Sequence, residues 1–134
     1  MNYLEYLKIP YKFRGSGVGE GADCYRLVKL IYSKEFGIDL PDADYVEDWF
    51  NLKDNLILAR YESEGFFKIP DSPRKGDVVV LIEHRIPKHL GVIIDSEYFI
   101  HTTKIGTAVH SYKSGQWYGK IHCILRHKDN QNDN

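Results

Sequence analysis

The chain has 134 residues, 43% hydrophobic and 28% charged, which predicts one globular domain with its own core over residues 1–127. Lysine and arginine number 18 against 19 aspartates and glutamates, so no strongly basic surface for nucleic acid is expected. No apolar stretch reaches the roughly 18 residues of a membrane span, and the N-terminal residues do not resemble an export signal. We therefore expect neither nucleic acid nor a membrane as a partner.

The first element predicted along the chain is a helix from Asp23 to Gly37. Asp23 is the expected N-cap, and Gly37 is the expected C-terminal stop. A second helix is predicted from Asp44, which stands at capping-box spacing from Glu47, toward Gly65. The first helix has one apolar stripe at helical spacing, made of Cys24, Leu27, Val28, Ile31, Tyr32 and Phe36.

From Pro73 onward, short runs rich in β-branched and aromatic residues replace the helical periodicity. Five strands are predicted there: Asp77–Ile82, Leu90–Ile94, Tyr98–Thr102, Thr107–Tyr112 and Gly119–His127. Helices followed by strands predict an α+β domain whose N-terminal helices pack on an antiparallel sheet of about five to six strands. The polar segment 128–134 is expected to be a disordered tail.

Cys24 directly follows the predicted N-cap, where the helix dipole and the free amide groups of the first turn favour a thiolate. The thiolate is the reactive form of cysteine, so Cys24 is a candidate nucleophile. The alternative is a small apolar residue on the buried stripe, which is the commoner role of a free cysteine. Cys123 is the other cysteine of the chain, and two cysteines are too few for a disulfide framework.

Six histidines are available as the base that a thiol nucleophile needs. His89 and His101 differ from the rest because they flank a predicted hairpin loop, Asp95–Glu97. With three residues in that loop, Gly91 faces His101 and His89 lies diagonally from His101 on the same face. Gly91 then leaves room above the sheet for the thiol. The remaining histidines are interpreted as surface or satisfied side chains: His84, His110, His122 and His127.

Two further interpretations concern the surroundings of Cys24. Tyr11 opens a glycine-rich stretch that leads to the helix, so its hydroxyl either helps the Cys24 amide to bind an oxyanion or belongs to a packing side chain. Zinc bound by Cys24, His89 and His101 is an alternative use of the same residues. It is less favoured because a zinc site normally adds a carboxylate or cysteine pair at short range. We therefore expect no metal and no cofactor.

Six segments, in order along the chain, resemble the NlpC/P60 family of papain-like cysteine peptidases: PYKFRGSG, DCYRLVKLIY, LP, RKGDVVVL, KHLGVII and YFIHTT. The resemblance implies a papain-like fold with Cys24 as nucleophile, His89 as general base and His101 as the residue that orients the base. It places Tyr11 on the oxyanion side. It also implies cleavage of amide bonds in bacterial cell-wall peptides, often next to D-glutamate.

The chain departs from the family pattern close to the nucleophile. Tyr25 and Arg26 follow the Asp-Cys pair where the family commonly has Ser-Gly, and Arg14 and Gly15 stand where it commonly has two glycines after the tyrosine. Asp23, Tyr25 and Arg26 are therefore candidate substrate-binding residues. In this interpretation Tyr25 and Arg26 narrow the cleft or bind a substrate carboxylate. The alternative is that either residue is a surface side chain without a role in binding.

With no export signal and no wall-binding repeats, the chain resembles the compact family members that tailed phages carry. This implies a location at the virion tail tip, tail-tip proteins as partners, and synthesis in the bacterial cytoplasm. Two alternatives stay open: a tail assembly component that has lost turnover, and a thiol hydrolase or acyltransferase that acts on another acyl substrate. The intact set of Cys24, His89 and His101 argues against the first of these.

Overall fold

Six strands form one antiparallel sheet in the computed structural model, which describes residues 3–15, 20–40 and 61–130. The strands are β1 (Phe66–Ile69), β2 (Val78–Glu83), β3 (Ile86–Ile93), β4 (Tyr98–Thr103), β5 (Gly106–Ser111) and β6 (Ile121–His127). Their order across the sheet is β1-β6-β2-β3-β4-β5. The predicted α+β class and antiparallel sheet are confirmed. Strands β2 to β6 overlap the five predicted strands, whereas β1 lies where no strand is predicted.

Helix α1 spans Cys24–Ile31, continues as a wider π-helical turn over Tyr32–Phe36 and ends at Gly37. Its N-cap is Asp23, whose carboxylate accepts a hydrogen bond from the Arg26 amide at 2.9 Å. The backbone of Gly37 has a left-handed φ of 66°, which a residue with a Cβ adopts only at an energetic cost. Both predicted ends of this helix are confirmed.

Two short 3-10 helices, Tyr3–Lys8 and Gly115–Trp117, accompany α1. The second predicted helix, from Asp44 toward Gly65, falls mainly on residues 41–60, which lie outside the described residues. Residues 61–65 form a turn that leads into β1. None of the helices in the described part of the chain is both long and apolar enough to cross a membrane.

The sheet is covered on both of its faces. Helix α1 packs on one face, where its apolar stripe meets Val78, Val80, Leu90, Val92, Ile100 and Leu125. The side chains that alternate with these form a second cluster on the opposite face: Val79, Leu81, Ile93, Phe99 and Ile124, joined by Tyr112 and Trp117. Burial on both faces explains why β2 is an unbroken apolar run rather than an alternating one.

The hairpin between β3 and β4 determines which face the two candidate histidines occupy. The Ile94 amide donates to the Tyr98 carbonyl at 2.9 Å and closes a three-residue loop over 95–97, and the next pairs along the strands keep this register. The prediction that His89 and His101 lie on one face is therefore confirmed. A loop with one residue fewer would have put them on opposite faces.

The space beside Gly91 is used differently from the prediction. A Cβ at Gly91 would lie 2.6 Å from Cδ2 of Phe99, so the phenyl ring occupies the volume expected for the thiol. Helix α1 packs on the face of Leu90 and Val92, and Gly91 alternates with these residues along β3. The expectation that the thiol sits above Gly91 is therefore wrong.

The last described residues pack against the start of β2. Asp77 is fully buried and accepts hydrogen bonds from Arg126 Nη2 at 2.9 Å, the Arg74 amide at 2.7 Å and Asn130 Nδ2 at 3.2 Å. Asn130 is only 5% exposed. Residues 128–130, expected to begin a disordered tail, instead form a packed turn, because Asn130 fills a buried hydrogen-bonding position. Residues 131–134 lie outside the described part of the chain.

Candidate active site

Cys24 and His89 line the same cleft, which has a volume of about 930 Å³. Cys24 is the first residue of α1, and His89 lies on β3. A parallel β-bridge between Tyr11 and Ala22 holds the preceding loop against the start of the helix. Cys24 is half-buried and forms no disulfide. The two residues predicted as nucleophile and base thus face one cavity.

Burial raises the pKa of the Cys24 thiol to about 12, and the neighbouring Asp23 carboxylate adds to this effect. Backbone amides of Leu90, Tyr25 and Cys24 itself lower the thiol pKa, but by less. The amides at the helix start therefore favour the thiolate as predicted, but desolvation acts in the opposite direction and is the larger effect. The contact with the Leu90 amide places the sulfur beside β3, next in the chain to His89.

His89 and His101 are in direct contact through their rings. Nε2 of His89 lies 2.5 Å from Nδ1 of His101, and the ring planes are nearly perpendicular at 77°. Two nitrogens that bind one zinc ion in tetrahedral geometry lie about 3.3 Å apart. The shorter separation of these two nitrogens indicates a hydrogen bond between the rings. Within the described ranges, no group of three or more His, Cys, Asp or Glu side chains is arranged to hold a metal ion.

Both imidazoles are neutral at neutral pH. Burial lowers the pKa of His89 to about 4, and the positive charge of Lys88 contributes further. Burial also lowers the pKa of His101 to about 2, together with the neighbouring His89 and His110 rings. His89 is 6% exposed and His101 only 1%. A neutral imidazole in a buried position has the protonation state that a general base requires.

Trp117 is a site residue that no sequence pattern indicates. Its ring stacks on His89 at a centroid separation of 5.2 Å and an interplanar angle of 14°. The edge of His101 meets the same indole, with the ring planes at 90°. Trp117 is buried and lines the cleft, so it shields the contact between the two histidines from water. A single aromatic residue in a short connection has no periodic signal from which its position could be predicted.

A third imidazole continues the row behind the cleft. Nε2 of His101 lies 2.7 Å from Nδ1 of His110, which belongs to β5. His110 pairs with Phe99 across the β4–β5 ladder, so it lies diagonally from His101 on the same face. The interpretation of His110 as an ordinary surface or satisfied histidine misses this contact. The sequence feature that could have indicated this contact is the two-residue turn between β4 and β5, because its length sets the pairing of His110 with Phe99.

The predicted substrate-side residues differ in their placement. Tyr11 and Tyr25 line the cleft, and Tyr25 is also part of the core. Asp23 lines the cleft too, but its carboxylate accepts from the Arg26 amide at 2.9 Å and from the Arg14 amide at 2.8 Å. Arg26 is half-buried and is not among the residues that line the cleft. The structure thus brings three of these candidates to the cavity.

The lining of the cleft carries charges of both signs and an exposed apolar side chain. Lys88 and Lys104 line it together with Asp23 and Glu83, and the Lys88 ammonium lies 3.9 Å from the Glu83 carboxylate. Ile105, at the tip of the β4–β5 hairpin, also lines the cleft and is 99% exposed.

Comparison with known proteins identifies relatives over most of the chain. Residues 8–126 match the NlpC/P60 family. The chain is 25% identical over 108 residues to tail tip assembly protein K of Escherichia phage lambda, covering 79% of this chain and 54% of that protein. It is 23% identical over 116 residues to the murein DD-endopeptidase MepS/murein LD-carboxypeptidase of Escherichia coli K12, covering 86% of this chain and 54% of that protein. The chain thus spans about half the length of these curated relatives.

A solved structure shares the fold. The crystal structure of a protein described as similar to lipoprotein, NLP/P60 family, from Staphylococcus aureus superimposes with a TM-score of 0.62. The superposition covers 92% of this chain and 38% of that one, at 21% sequence identity. This likeness concerns the arrangement of helix and sheet.

Proposed function

The chain belongs to the NlpC/P60 family, and on this basis we propose that it is a cysteine endopeptidase that hydrolyses amide bonds in the stem peptides of bacterial peptidoglycan. The observation that carries the proposal is the contact of 2.5 Å between His89 and His101, behind the cleft that Cys24 and His89 line. The similarity to a murein endopeptidase supports the substrate class.

In the proposed reaction Cys24 is the nucleophile and His89 is the general base. Burial displaces their pKa values in opposite directions, to about 12 for the thiol and about 4 for the imidazole, so both groups are neutral before substrate binds. Nε2 of His89 faces His101, which leaves Nδ1 to accept the thiol proton. Proton transfer therefore accompanies the attack of sulfur on the scissile carbonyl carbon.

The negative charge that develops on the carbonyl oxygen requires hydrogen-bond donors. We assign this role to the Cys24 amide and the Tyr11 hydroxyl, because Tyr11 lines the cleft together with Cys24. The intermediate then breaks its carbon–nitrogen bond, and the amine leaves with the proton from His89. Water, deprotonated by His89, releases the acyl group from sulfur, and His101 keeps the base oriented throughout.

The lining of the cleft supports a peptide as substrate. It carries charges of both signs, from Lys88 and Lys104 and from Asp23 and Glu83, and Ile105 offers apolar contact. Tyr25 narrows the cleft beside the nucleophile. Arg26 does not line the cleft. In this proposal Arg26 therefore binds the substrate only if the peptide extends beyond the cavity.

Digestion of purified sacculi, followed by mass spectrometry of the released fragments, tests the proposal. We expect the wild type to release peptide fragments and Cys24→Ala to lose activity by more than about 10³-fold. Cys123→Ala is the matched control, because this second half-buried cysteine lies on β6 away from the cleft and its loss is expected to leave activity intact. Intact sacculi after treatment with folded wild type, or equal cleavage by Cys24→Ala, would refute it.

We further propose that the protein acts at the tail tip of a phage particle, with tail-tip proteins as partners. The similarity to tail tip assembly protein K of phage lambda supports this location. Mass spectrometry of purified particles is expected to detect the chain in tails, and its presence only in particle-free lysate would contradict the location. Particles that assemble normally with Cys24→Ala but no longer digest sacculi would separate the hydrolase from a purely structural component.

A further inference from the structure

Three histidines form a continuous row from the cleft to the edge of the sheet. Nε2 of His89 lies 2.5 Å from Nδ1 of His101, and Nε2 of His101 lies 2.7 Å from Nδ1 of His110. The residues come from the neighbouring strands β3, β4 and β5, and β5 is an edge strand. His101 is almost completely buried, so both of its ring nitrogens bond to histidines rather than to water.

Counting protons restricts the row to two arrangements. A neutral imidazole has one N–H donor and one acceptor nitrogen, so His101 donates on one side and accepts on the other. In the first arrangement, His101 donates to Nδ1 of His110 and accepts from Nε2–H of His89, which leaves Nδ1 of His89 unprotonated. In the second, His101 donates to Nε2 of His89, and the proton of His89 then sits on Nδ1.

Only the first arrangement provides a base for the thiol. Nδ1 of His89 is the nitrogen that does not face His101, so it must be unprotonated to accept the Cys24 proton. The choice between the arrangements is made at the far end of the row, by whether Nδ1 of His110 accepts or donates. His110 is half-buried on the edge strand, where its own Nε2–H can bond to water.

We infer that His110 is a positioning residue of the site, which accepts the Nε2–H of His101 and thereby holds His89 in the tautomer that can deprotonate Cys24. The inference rests on the proposed function, in that Cys24 and His89 are taken as nucleophile and base. When His89 receives the thiol proton, the row also offers its Nε2–H an oriented acceptor, which stabilises the imidazolium.

Two substitutions at position 110 test the inference on a soluble stem peptide. His110→Ala removes the acceptor, and we expect kcat to fall about tenfold with KM unchanged. His110→Asn keeps a neutral acceptor, because its Oδ1 replaces Nδ1, and we expect recovery to within about twofold of wild type. His122→Ala, an exposed histidine on β6, is the matched control and should behave as wild type. Should His110→Ala not fold, His110→Leu fills the space without an acceptor.

Nitrogen-15 NMR of the imidazoles in the full chain provides a readout that a packing role would not move. We expect the His89 proton on Nε2 in wild type and His110→Asn, and a mixture of tautomers in His110→Ala. Wild-type protein with the His89 proton on Nδ1, or folded His110→Ala with unchanged kcat, overturns the inference. A wild type that cleaves no wall peptide refutes the proposed function instead, and the NMR tautomers then still decide the role of His110.

Discussion

Burial shifts the pKa values of the two reactive side chains, Cys24 and His89, in opposite directions. A low-polarity environment disfavours the charged form of any group, so it raises the pKa of the Cys24 thiol and lowers that of the His89 imidazole. The resting site is consequently free of an ion pair between them. The amides at the start of α1 act on the sulfur as expected from the sequence, but the stronger effect of desolvation depends on the folded surroundings.

Burial of neutral imidazoles predicts a fold that loses stability in acid. The pKa of His89 is about 4 in the folded chain against 6.5 for a free histidine, so the unfolded chain binds this proton first as the pH falls. The stabilisation is complete above pH 6.5, declines between 6.5 and about 4, and is lost below that. For His89 alone the free energy of unfolding falls by about 3 kcal/mol over this range. Urea titrations at neutral pH and near pH 4 measure this change in the free energy of unfolding.

The variant His89→Gln checks this prediction. It is expected to reduce the dependence of stability on pH in this range, because glutamine does not titrate. Equal slopes in wild type and His89→Gln would contradict the prediction.

At the scale of elements, the start of α1 combines two effects of one side chain. The Asp23 carboxylate caps the helix through the Arg26 amide and also raises the pKa of the Cys24 thiol through its charge. The same carboxylate accepts from the Arg14 amide, which ties the preceding loop to the helix. The residue that positions the nucleophile thus also adds to the rise of the thiol pKa, of which burial is the larger cause.

Asp23→Asn separates capping from charge. Asparagine is an equally good N-cap, but it is uncharged and offers no second acceptor to the Arg14 amide. We expect Cys24 to react with iodoacetamide about tenfold faster at a fixed mildly alkaline pH, because the thiolate fraction rises. The free energy of unfolding should fall by about 1 kcal/mol. Both proteins carry Cys123→Ala so that only one thiol reacts, and an unchanged rate in a folded variant would count against the charge effect.

In the β3–β4 hairpin, the loop length determines the faces of the histidines but not the residues that pack around them. The length of its loop sets the parity of the two strands, so the shared face of His89 and His101 follows from counting residues. Parity does not determine what else packs on that face. Phe99 fills the volume beside Gly91, and Trp117 arrives from the connection between β5 and β6.

For the whole molecule, the buried Asp77 joins the start of β2 to β6 and to the last described turn. It accepts two hydrogen bonds from Arg126 and one from Asn130. Asp77→Ala removes the buried carboxylate that balances the charge of Arg126 and accepts from the Asn130 side chain. We therefore expect the free energy of unfolding to fall by about 3 kcal/mol. Chemical denaturation of wild type and variant measures this difference.

An exposed ion pair is the matched control for this network. Lys12 and Glu20 lie 3.5 Å apart and are both exposed, so Glu20→Ala is expected to change the free energy of unfolding by less than about 1 kcal/mol. If the two variants lose a similar free energy of unfolding, burial does not explain the stabilising effect of the Asp77 ion pair.

Patterns that extend along a few neighbouring residues were sufficient for several predictions. Helical spacing and the capping residues located the helix from Asp23 to Gly37, short runs of β-branched and aromatic residues located β2 to β6, and loop length put His89 and His101 on one face. The order of short motifs indicated the NlpC/P60 family, which the match over residues 8–126 confirms. Each of these properties depends on backbone periodicity and on residues close together in the chain.

Only the tertiary structure revealed the features that depend on residues far apart in the chain. It placed Trp117 over His89, connected His110 to His101 and buried Asn130 against Asp77. It also determined the protonation of the site, because desolvation depends on every atom that surrounds a group and not on its neighbours in sequence. Helix geometry alone therefore predicted a thiolate at Cys24, and the packed environment favours the thiol.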